Sequence, residues 1–293
     1  MNRFGIILVD KPTGPTSHKV VSIVRRETGV RKVGHAGTLD PRASGVLVLC
    51  LGSATRLSEY LSTASKRYEA VIRFGESTKT YDAEGEAIRI TGAVPTEEDI
   101  QAVIPEFSGK IEQIPPPYSA IKIKGKKAYE LAREGKEFDL DSRDVTIYKM
   151  ALVEYNPPDL VLEIECSAGT YIRSLAHDMG EKLGTGAHLA NLRRTKSGHF
   201  TIEECVSLRK LELGFIDGTW DEYLRPAVDA LPDFPRISVE GKNYEDVTFG
   251  RLIPADAAAS GMAVAIGPDG DLVAILEAVE DGGKWHPKKV FNR

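Results

Sequence analysis

Short runs of hydrophobic residues predict most of the strands of this chain. Residues 46–51 are an unbroken apolar run, which is typical of a buried strand, and residues 68–74 alternate between apolar and polar, as in a half-buried strand. The same patterns predict three further strands, at 5–9, 145–153 and 160–166. The segment 156–158, with two prolines, is expected to form the turn between the last two.

Helices are predicted where apolar residues recur at helical spacing behind a capping residue. A first helix is expected to begin at Thr16 or Ser17, and a short second one at Ser53. A third begins at Thr96, with acidic residues in its first turn, and a fourth spans residues 172–183. Strands and helices do not alternate in regular β-α-β units, so the sequence predicts an α+β fold with a mixed β-sheet.

Two close prolines, Pro232 and Pro235, predict a domain boundary, because proline resists both helices and central strands. We therefore expect one domain over residues 1–231 and a second over residues 236–293, with few core contacts across the linker. In the second domain, two apolar runs flank Gly267-Pro268-Asp269-Gly270, which predicts a β-hairpin.

The composition is that of an ordinary globular chain, with 42% hydrophobic and 28% charged residues over 293 positions. No apolar stretch approaches the roughly 18 residues that span a bilayer, so we expect a cytoplasmic protein without membrane contact. The three cysteines are far apart among apolar neighbours, which favours buried thiols over a disulfide or a zinc site. No spacing of histidines and cysteines indicates a metal, and none is expected.

The net charge of −5 argues against a nucleic-acid partner when the chain is taken as a whole. The charge is, however, distributed unevenly along the sequence. Residues 203–293 carry 10 basic and 17 acidic residues, which leaves residues 1–202 with 28 and 26. Positive charge is concentrated in two runs, 119–136 and 182–202, which we expect to contact phosphates. The alternative for each run is a solvated surface.

One carboxylate is distinguished by the loop around it. Asp40 ends the segment Gly34-His35-Ala36-Gly37-Thr38-Leu39-Asp40, and Pro41 directs it away from helical geometry. A carboxylate on a rigid loop beside a buried strand is well placed to act as a nucleophile or a base. The alternative is that Asp40-Pro41 only initiates a turn.

Four other segments accompany this loop in a specific order: Asp10-Lys11-Pro12-Thr13-Gly14, Lys66-Arg67-Tyr68, Pro115-Pro116-Pro117-Tyr118-Ser119-Ala120 and Gly169-Thr170-Tyr171-Ile172-Arg173. Together with the Asp40 loop, they make about residues 5–205 resemble the TruB family of bacterial tRNA pseudouridine-55 synthases. The resemblance implies a mixed-sheet pseudouridine synthase core. The C-terminal part resembles, more weakly, a small PUA-type RNA-binding β-barrel.

The resemblance implies isomerisation of uridine 55 in the TΨC arm of tRNA. The bond between C1′ and N1 of the uridine breaks and the sugar is rejoined to C5, which a carboxylate can promote without a cofactor. The resemblance assigns this chemistry to Asp40, either as a nucleophile on the base or sugar or as a base at C2′. Because the target lies inside a folded arm, the base is expected to flip into a pocket.

Three more residues receive a role in the reaction from the resemblance. Arg173 is expected to orient Asp40 through a bidentate contact. Tyr68 is expected to stack on the target uracil and to handle a proton, and Tyr171 to complete the site. From the residues alone, a helix-surface arginine and two core tyrosines are the alternatives.

Four further residues are expected to bind the substrate or support the site: His35, Lys11, Lys66 and Leu192. By the resemblance, His35 supports the RNA after the base has left, and Leu192 lines the pocket. Lys66 is expected to face phosphate, whereas Lys11 either faces phosphate or holds the Asp40 loop. For His35, a structural turn residue is the alternative.

Two other functions stay open, an RNA-guided pseudouridine synthase and a non-catalytic tRNA chaperone. By the resemblance, the guided enzymes lack the basic insertion at about 119–143. This insertion favours a monomer that binds tRNA unaided. The presence of Asp40, Tyr68 and Arg173 argues against a purely non-catalytic role.

Overall fold

The structure is a computed structural model that describes residues 4–89, 94–123, 125–256, 258–279 and 283–291. The strands of the larger, N-terminal part are β1 Gly5–Lys11, β2 Val33–His35, β3 Ala43–Leu51, β4 Lys66–Phe74, β5 Glu76–Thr78, β6 Ala87–Arg89, β7 Gly109–Gln113, β8 Lys122–Ile123, β9 Lys126–Lys127, β10 Arg143–Asn156, β11 Asp159–Cys166, β12 Ala187–Ser197, β13 Phe200–Thr201 and β14 Val206–Ser207. The C-terminal strands are β15 Arg236–Ser238, β16 Ile253–Pro254, β17 Met262–Ile266, β18 Leu272–Ala278 and β19 Lys284–Val290. The α-helices are α1 Ser17–Thr28, α2 Ser58–Ser62, α3 Glu97–Val103, α4 Ala128–Arg133, α5 Ile172–Lys182, α6 Leu208–Asp217 and α7 Gly241–Thr248.

A mixed ten-stranded sheet forms the centre of the N-terminal part. Its strands follow the order β14-β1-β3-β12-β4-β11-β10-β7, with β2 paired to β3 and β13 to β12. The pairs β1–β14 and β3–β12 are parallel, whereas β12–β4 is antiparallel. This arrangement confirms the predicted α+β fold with a mixed sheet, and it places β4 and β12 side by side in the interior.

Most of the predicted elements are present with the expected local causes. The apolar run at 46–51 lies in β3 and is buried throughout. Thr16 caps α1 by accepting a hydrogen bond from the N–H of Lys19, and Thr96 caps α3 in the same way. The prediction that Ser53 caps a helix is wrong. A 3-10 turn begins at Gly52, directly after β3, and no side chain caps it.

The C-terminal part forms a second sheet of five strands in the order β15-β17-β18-β19-β16. Strands β17 and β18 are the predicted hairpin, and they pair antiparallel from Met262 opposite Glu277 to Ile266 opposite Leu272. The small C-terminal β domain expected from the sequence is therefore present as a five-stranded sheet.

The two parts share a hydrophobic core, contrary to the expectation that few core contacts cross the linker. One buried cluster combines residues of both sheets: Ile6, Leu8, Val46 and Val48 with Val264, Leu272, Ile275 and Phe291. The guanidinium of Arg56 also donates to the carbonyl of Val290 at 2.6 Å. Pro232 and Pro235 lie where the chain passes from the first sheet to the second, and apolar side chains from the two parts pack against each other. The bounds 1–231 and 236–293 stay a prediction.

Two sequence expectations concern compartment and thiols. None of the helices in the described ranges is long and apolar enough to cross a membrane. The three cysteines carry free thiols, and burial raises the pKa of Cys50 to about 12.

Candidate active site

The Asp40 loop connects β2 to β3, and neighbouring side chains fix its backbone. The Ser17 hydroxyl, at the start of α1, accepts a hydrogen bond from the N–H of Leu39 at 2.8 Å and donates to its carbonyl at 2.9 Å. Arg194 of β12 donates to the carbonyls of Gly37 and Thr38 at 3.1 and 3.3 Å. These bonds hold the loop still while the Asp40 side chain keeps 46% of its surface exposed.

Lys11 holds the same loop from the other side. Its side chain is fully buried, and its ammonium donates to the carbonyls of Pro12 and Pro15 at 2.9 and 3.0 Å and, more weakly, to that of Pro41 at 3.4 Å. Burial lowers the pKa of Lys11 to about 8. Of the two roles considered for Lys11, this geometry favours support of the Asp40 loop over contact with phosphate.

Arg173 lies in the first turn of α5 and joins two carboxylates. Its Nη2 is 3.1 Å from Oδ2 of Asp40, and its Nη1 is 3.2 Å from Oδ2 of Asp82. The side chain is only 9% exposed, so the alternative of a helix-surface arginine is excluded. The expected bidentate contact with Asp40 is absent, because each terminal nitrogen serves a different carboxylate.

Sequence reasoning did not identify Asp82. Its carboxylate is buried and accepts hydrogen bonds from the hydroxyl of Thr80 at 2.6 Å and the N–H of Glu84 at 2.9 Å. Arg173 also donates to the carbonyl of Thr80 at 3.3 Å, so one turn presents two acceptors to it. The available signal was a lone aspartate between two threonines and Gly85, a composition typical of a tight polar turn.

A cavity of 530 Å³ opens beside the Asp40–Arg173 pair. Tyr68 of β4, Leu192 of β12 and Tyr171 at the start of α5 all line it, together with both members of the pair. Burial raises the pKa of Tyr68 and of Tyr171, so both phenols are neutral at physiological pH. The cavity therefore combines a carboxylate, a cation, two phenols and an apolar wall.

The backbone of Tyr171 is held by one buried amide. Gln113 of β7 accepts from the N–H of Tyr171 at 2.7 Å and donates to its carbonyl at 2.9 Å. These two hydrogen bonds fix the first turn of α5 against the sheet, and with it the position of Arg173.

Two of the expected substrate-binding residues, Lys66 and His35, lie in surroundings that differ from those expected. The ammonium of Lys66 lines the cavity but donates to the carbonyls of Ser62 and Ala64, and burial lowers its pKa to about 8. His35 lies on β2 outside the residues that line the cavity, and burial lowers its pKa. Within the described chain, its Nδ1 is buried without a hydrogen-bond partner. The roles assigned to both residues stay predictions.

The two basic runs differ sharply in the structure. In the first, Lys122 and Lys126 are exposed on the hairpin β8–β9, next to α4, whose Tyr129 and Arg133 line the cavity. Lys124 lies outside the described residues.

In the second run, 182–202, three of the four basic residues are paired or buried, so it offers less free positive charge to phosphate than the sequence suggests. Lys182 pairs with Glu106 at 2.7 Å, Arg193 pairs with Asp10 at 2.9 Å, and Arg194 is buried. Counting charges along the sequence does not show that acidic residues from distant segments neutralise these basic residues.

Family models match almost the whole chain. The model described as TruB family pseudouridylate synthase (N terminal domain) covers residues 25–172. Those described as tRNA pseudouridylate synthase B C-terminal domain and tRNA Pseudouridine synthase II, C terminal, cover residues 173–231 and 234–292. The chain belongs to the TruB family of pseudouridylate synthases. The resemblance noted in the sequence is confirmed, and with it the class of enzyme.

Individual relatives of this TruB-family chain carry one name over its full length. A protein of Dehalococcoides mccartyi (strain CBDB1) named tRNA pseudouridine synthase B is 44% identical over 291 residues, 99% of this chain and 97% of the relative. One of Geobacillus thermodenitrificans (strain NG80-2) with the same name is 40% identical over 299 residues, 98% of this chain and 99% of the relative.

Solved structures extend the similarity to the fold. A chain of an H/ACA RNP bound to a substrate RNA containing 2′-deoxyuridine matches with a TM-score of 0.74 at 29% identity, over 100% of this chain and 86% of that one. A chain of a Cbf5-Nop10-Gar1 complex matches with a TM-score of 0.75 at 31% identity, over 99% and 85%. Both matches include the C-terminal sheet, which confirms the expected PUA-like domain of this TruB-family chain.

Proposed function

We propose that this protein isomerises uridine 55 in the TΨC arm of tRNA to pseudouridine. It acts in the cytoplasm as a monomer, without a cofactor or a metal. The observation that carries the proposal is the ion pair of Asp40 and Arg173 at the edge of a cavity lined by two tyrosines. The names of the full-length relatives support tRNA as the substrate.

The reaction is balanced within one nucleotide. The C1′–N1 bond breaks, the base turns, a C1′–C5 bond forms, the proton on C5 leaves, and N1 takes up a proton. Among the described residues that line the cavity, Asp40 is the only carboxylate that is both half-exposed and paired with Arg173. In one route its oxygen attacks the base or the sugar, and in the other it removes the proton at C2′. Deuterium at C2′ separates the two, because only the second route breaks that bond.

The remaining groups bind and orient the base. The cavity is large enough for a nucleoside, and its lining includes the apolar side chain of Leu192 and the flat aromatic ring of Tyr68. A uridine inside a folded arm reaches such a recess only by leaving its stack, so the target base flips. Arg173 orients the Asp40 carboxylate towards the base through the 3.1 Å contact between its Nη2 and Oδ2 of Asp40.

The proposal is tested with an unmodified tRNA transcript and the purified protein alone. We expect conversion at position 55 and at no other uridine of the T-arm, mapped by chemical sequencing. A transcript with cytidine at position 55 is the matched control and should stay unmodified. Conversion elsewhere would refute the position, and no conversion would refute the activity.

The RNA-guided alternative is tested by the same assay. The solved relatives in H/ACA complexes are 29–31% identical, whereas the named tRNA enzymes are 40–44% identical. The exposed lysines of the β8–β9 hairpin also offer a phosphate-binding surface of the protein's own. Turnover without any guide RNA excludes the guided mechanism. A chaperone role is separable, because refolding of tRNA by an inactive variant measures it independently.

A further inference from the structure

Arg194 is a buried cation without an acidic partner among the residues that the structure describes. It is the largest fully buried side chain in the described part of the chain, at 1% exposure. None of the ion pairs found among the described residues includes it, and its guanidinium donates to three backbone carbonyls. Burying an unpaired charge lowers the free energy of unfolding, so a cation at this position indicates a functional role.

The contacts of Arg194 connect two strands and one loop. Its Nε donates to the carbonyl of Val46 on β3 at 2.8 Å, while Nη1 and Nη2 donate to Thr38 and Gly37. Arginine suits this arrangement, because a planar fork can bind several carbonyls at fixed angles. One side chain therefore sets the path of the loop that ends at Asp40.

Arg194 also lies directly opposite Tyr68. The two are paired across the antiparallel strands β12 and β4, and both line the cavity. Side chains opposite each other on one face of a sheet are close neighbours. The guanidinium lies close enough to the phenol to lower its pKa, and Asp40 and Cys166 are the other ionisable groups that act on Tyr68.

We propose that Arg194 is a positioning residue that fixes Asp40 and Tyr68 relative to each other. The guanidinium holds the Asp40 loop through two backbone carbonyls, and Tyr68 lies directly opposite the same arginine across the strand pair. One side chain therefore contacts the loop of one reactive group and neighbours the other. This proposal deepens the proposed function and rests on it. The cation has a second effect, because it opposes the rise in the pKa of Tyr68 that burial causes.

The neighbouring strand is shaped to admit this arginine. Gly45 of β3 pairs with Arg194, and a side chain at Gly45 would come within 2.1 Å of the Arg194 carbonyl oxygen. Gly45 also has a φ of 103°, which disfavours any other residue. The glycine allows the backbone of β12 to approach closely enough for the guanidinium to reach the loop.

The test is Arg194→Lys, with Arg193→Lys on the same strand as the matched control. Arg193 pairs with Asp10 away from the cavity, so its replacement should leave turnover unchanged. Arg194→Lys should reduce the single-turnover rate at saturating tRNA about tenfold or more, with tRNA affinity within a few-fold, because misplaced reactive groups slow chemistry. Equal rates for both variants would overturn the proposal while leaving the proposed function intact. If the wild type converts no uridine, it is the proposed function that fails.

Two further measurements distinguish positioning from mere structural support. In a Tyr68→Phe background, Arg194→Lys should cost clearly less than in the wild type, since the shared contact is already lost. If the two substitutions reduced the rate by independent factors that multiply in the double variant, the link between Arg194 and Tyr68 would be overturned. Arg194→Gln, which removes the charge, should move the alkaline limb of the rate profile to higher pH, and an unmoved limb would contradict the electrostatic part.

If the Arg194 variants do not fold, the contact between Arg194 and Tyr68 can still be tested from the Tyr68 side. Tyr68→Phe removes one hydroxyl and keeps the ring. In protein labelled with ¹⁵N-arginine, this change should shift the guanidinium signals of Arg194 and leave those of Arg193 in place. Unchanged Arg194 signals would overturn the proposal.

Discussion

Nη1 of Arg173 lies 3.2 Å from Oδ2 of Asp82, while Nη2 of the same guanidinium contacts Asp40. The guanidinium is therefore not a simple counterion of Asp40. Asp82, itself buried and held by Thr80, fixes the plane of the arginine, and that plane sets where Asp40 points. Asp82 is therefore placed to act on the chemistry through Arg173.

Asp82→Asn should slow pseudouridine formation by about a hundredfold, because a displaced guanidinium misplaces Asp40 by a fraction of an ångström. The affinity for tRNA should change little. Single-turnover kinetics with radiolabelled tRNA, together with filter binding, measure the two quantities separately. Glu86→Gln, at an exposed position just after the same turn and outside the cavity lining, is the control and should retain the wild-type rate. A normal rate for Asp82→Asn would show that the Asp82 carboxylate is not needed to orient Arg173.

Arg173→Lys should be at least as damaging, because an ammonium cannot bind two carboxylates and the carbonyls of Thr80 and Tyr118 at once. We expect a folded protein with a strongly reduced rate, checked by thermal melting and by the same kinetic assay. Near-wild-type turnover would contradict the assignment of Arg173 as the partner of Asp40.

Asp40→Asn should abolish conversion and leave tRNA binding within a few-fold. An amide keeps the shape of the side chain but can neither attack as a nucleophile nor accept the proton at C2′. Measurable product from a preparation free of wild-type enzyme would refute the role of Asp40. The same variant tests chaperone activity, because tRNA refolding without turnover would show that the two functions are independent.

The sequence predicted the elements around the site better than the contacts inside it. The apolar run at 46–51 and the caps Thr16 and Thr96 depend on local patterns, which survive folding. Asp82 and Arg194 were missed because their roles depend on partners 91 and 148–157 positions away. Arg194 was counted as surface charge, although it is two residues after Leu192 and so shares its face of the strand.

Lys122→Glu combined with Lys126→Glu should weaken tRNA binding and flatten its salt dependence. Each lysine that leaves a phosphate releases about one counterion fewer, so the slope of log affinity against log salt should fall by about two. The matched control is Lys242→Glu with Lys284→Glu, two exposed lysines of the C-terminal part. An unchanged slope for the first pair would show that the β8–β9 hairpin does not contact phosphate.

Asp178→Asn should stabilise the protein at neutral pH. Burial, followed by the nearby Glu181, raises the pKa of Asp178 from 3.8 to about 6 in the folded state. Ionisation therefore costs stability above pH 6, and this cost fades as the pH falls towards 4. Because the side chain is half-buried, we expect a gain of only about 1 kcal/mol, or roughly 2 °C in melting temperature.

The control for this prediction is Asp139→Asn, at an exposed position, which should not change the melting temperature. Melting curves at pH 8 and pH 4.5 compare both variants with the wild type. A gain that persists undiminished at pH 4.5 would mean that ionisation of Asp178 is not its cause.

Removal of the C-terminal sheet by truncation after Leu231 should destabilise the catalytic part. The cut removes Phe291 and Ile275 from a core that they share with Ile6 and Val48, and it exposes that apolar surface to water. Phe291→Ala in the full chain isolates one such contact and should cost about 3–5 kcal/mol, whereas Phe249→Ala, at a position 73% exposed, should cost less than about 0.5 kcal/mol. Denaturant unfolding measures both. A truncated protein that unfolds cooperatively with the stability of the full chain would show that the shared core is dispensable and that residues 1–231 fold alone.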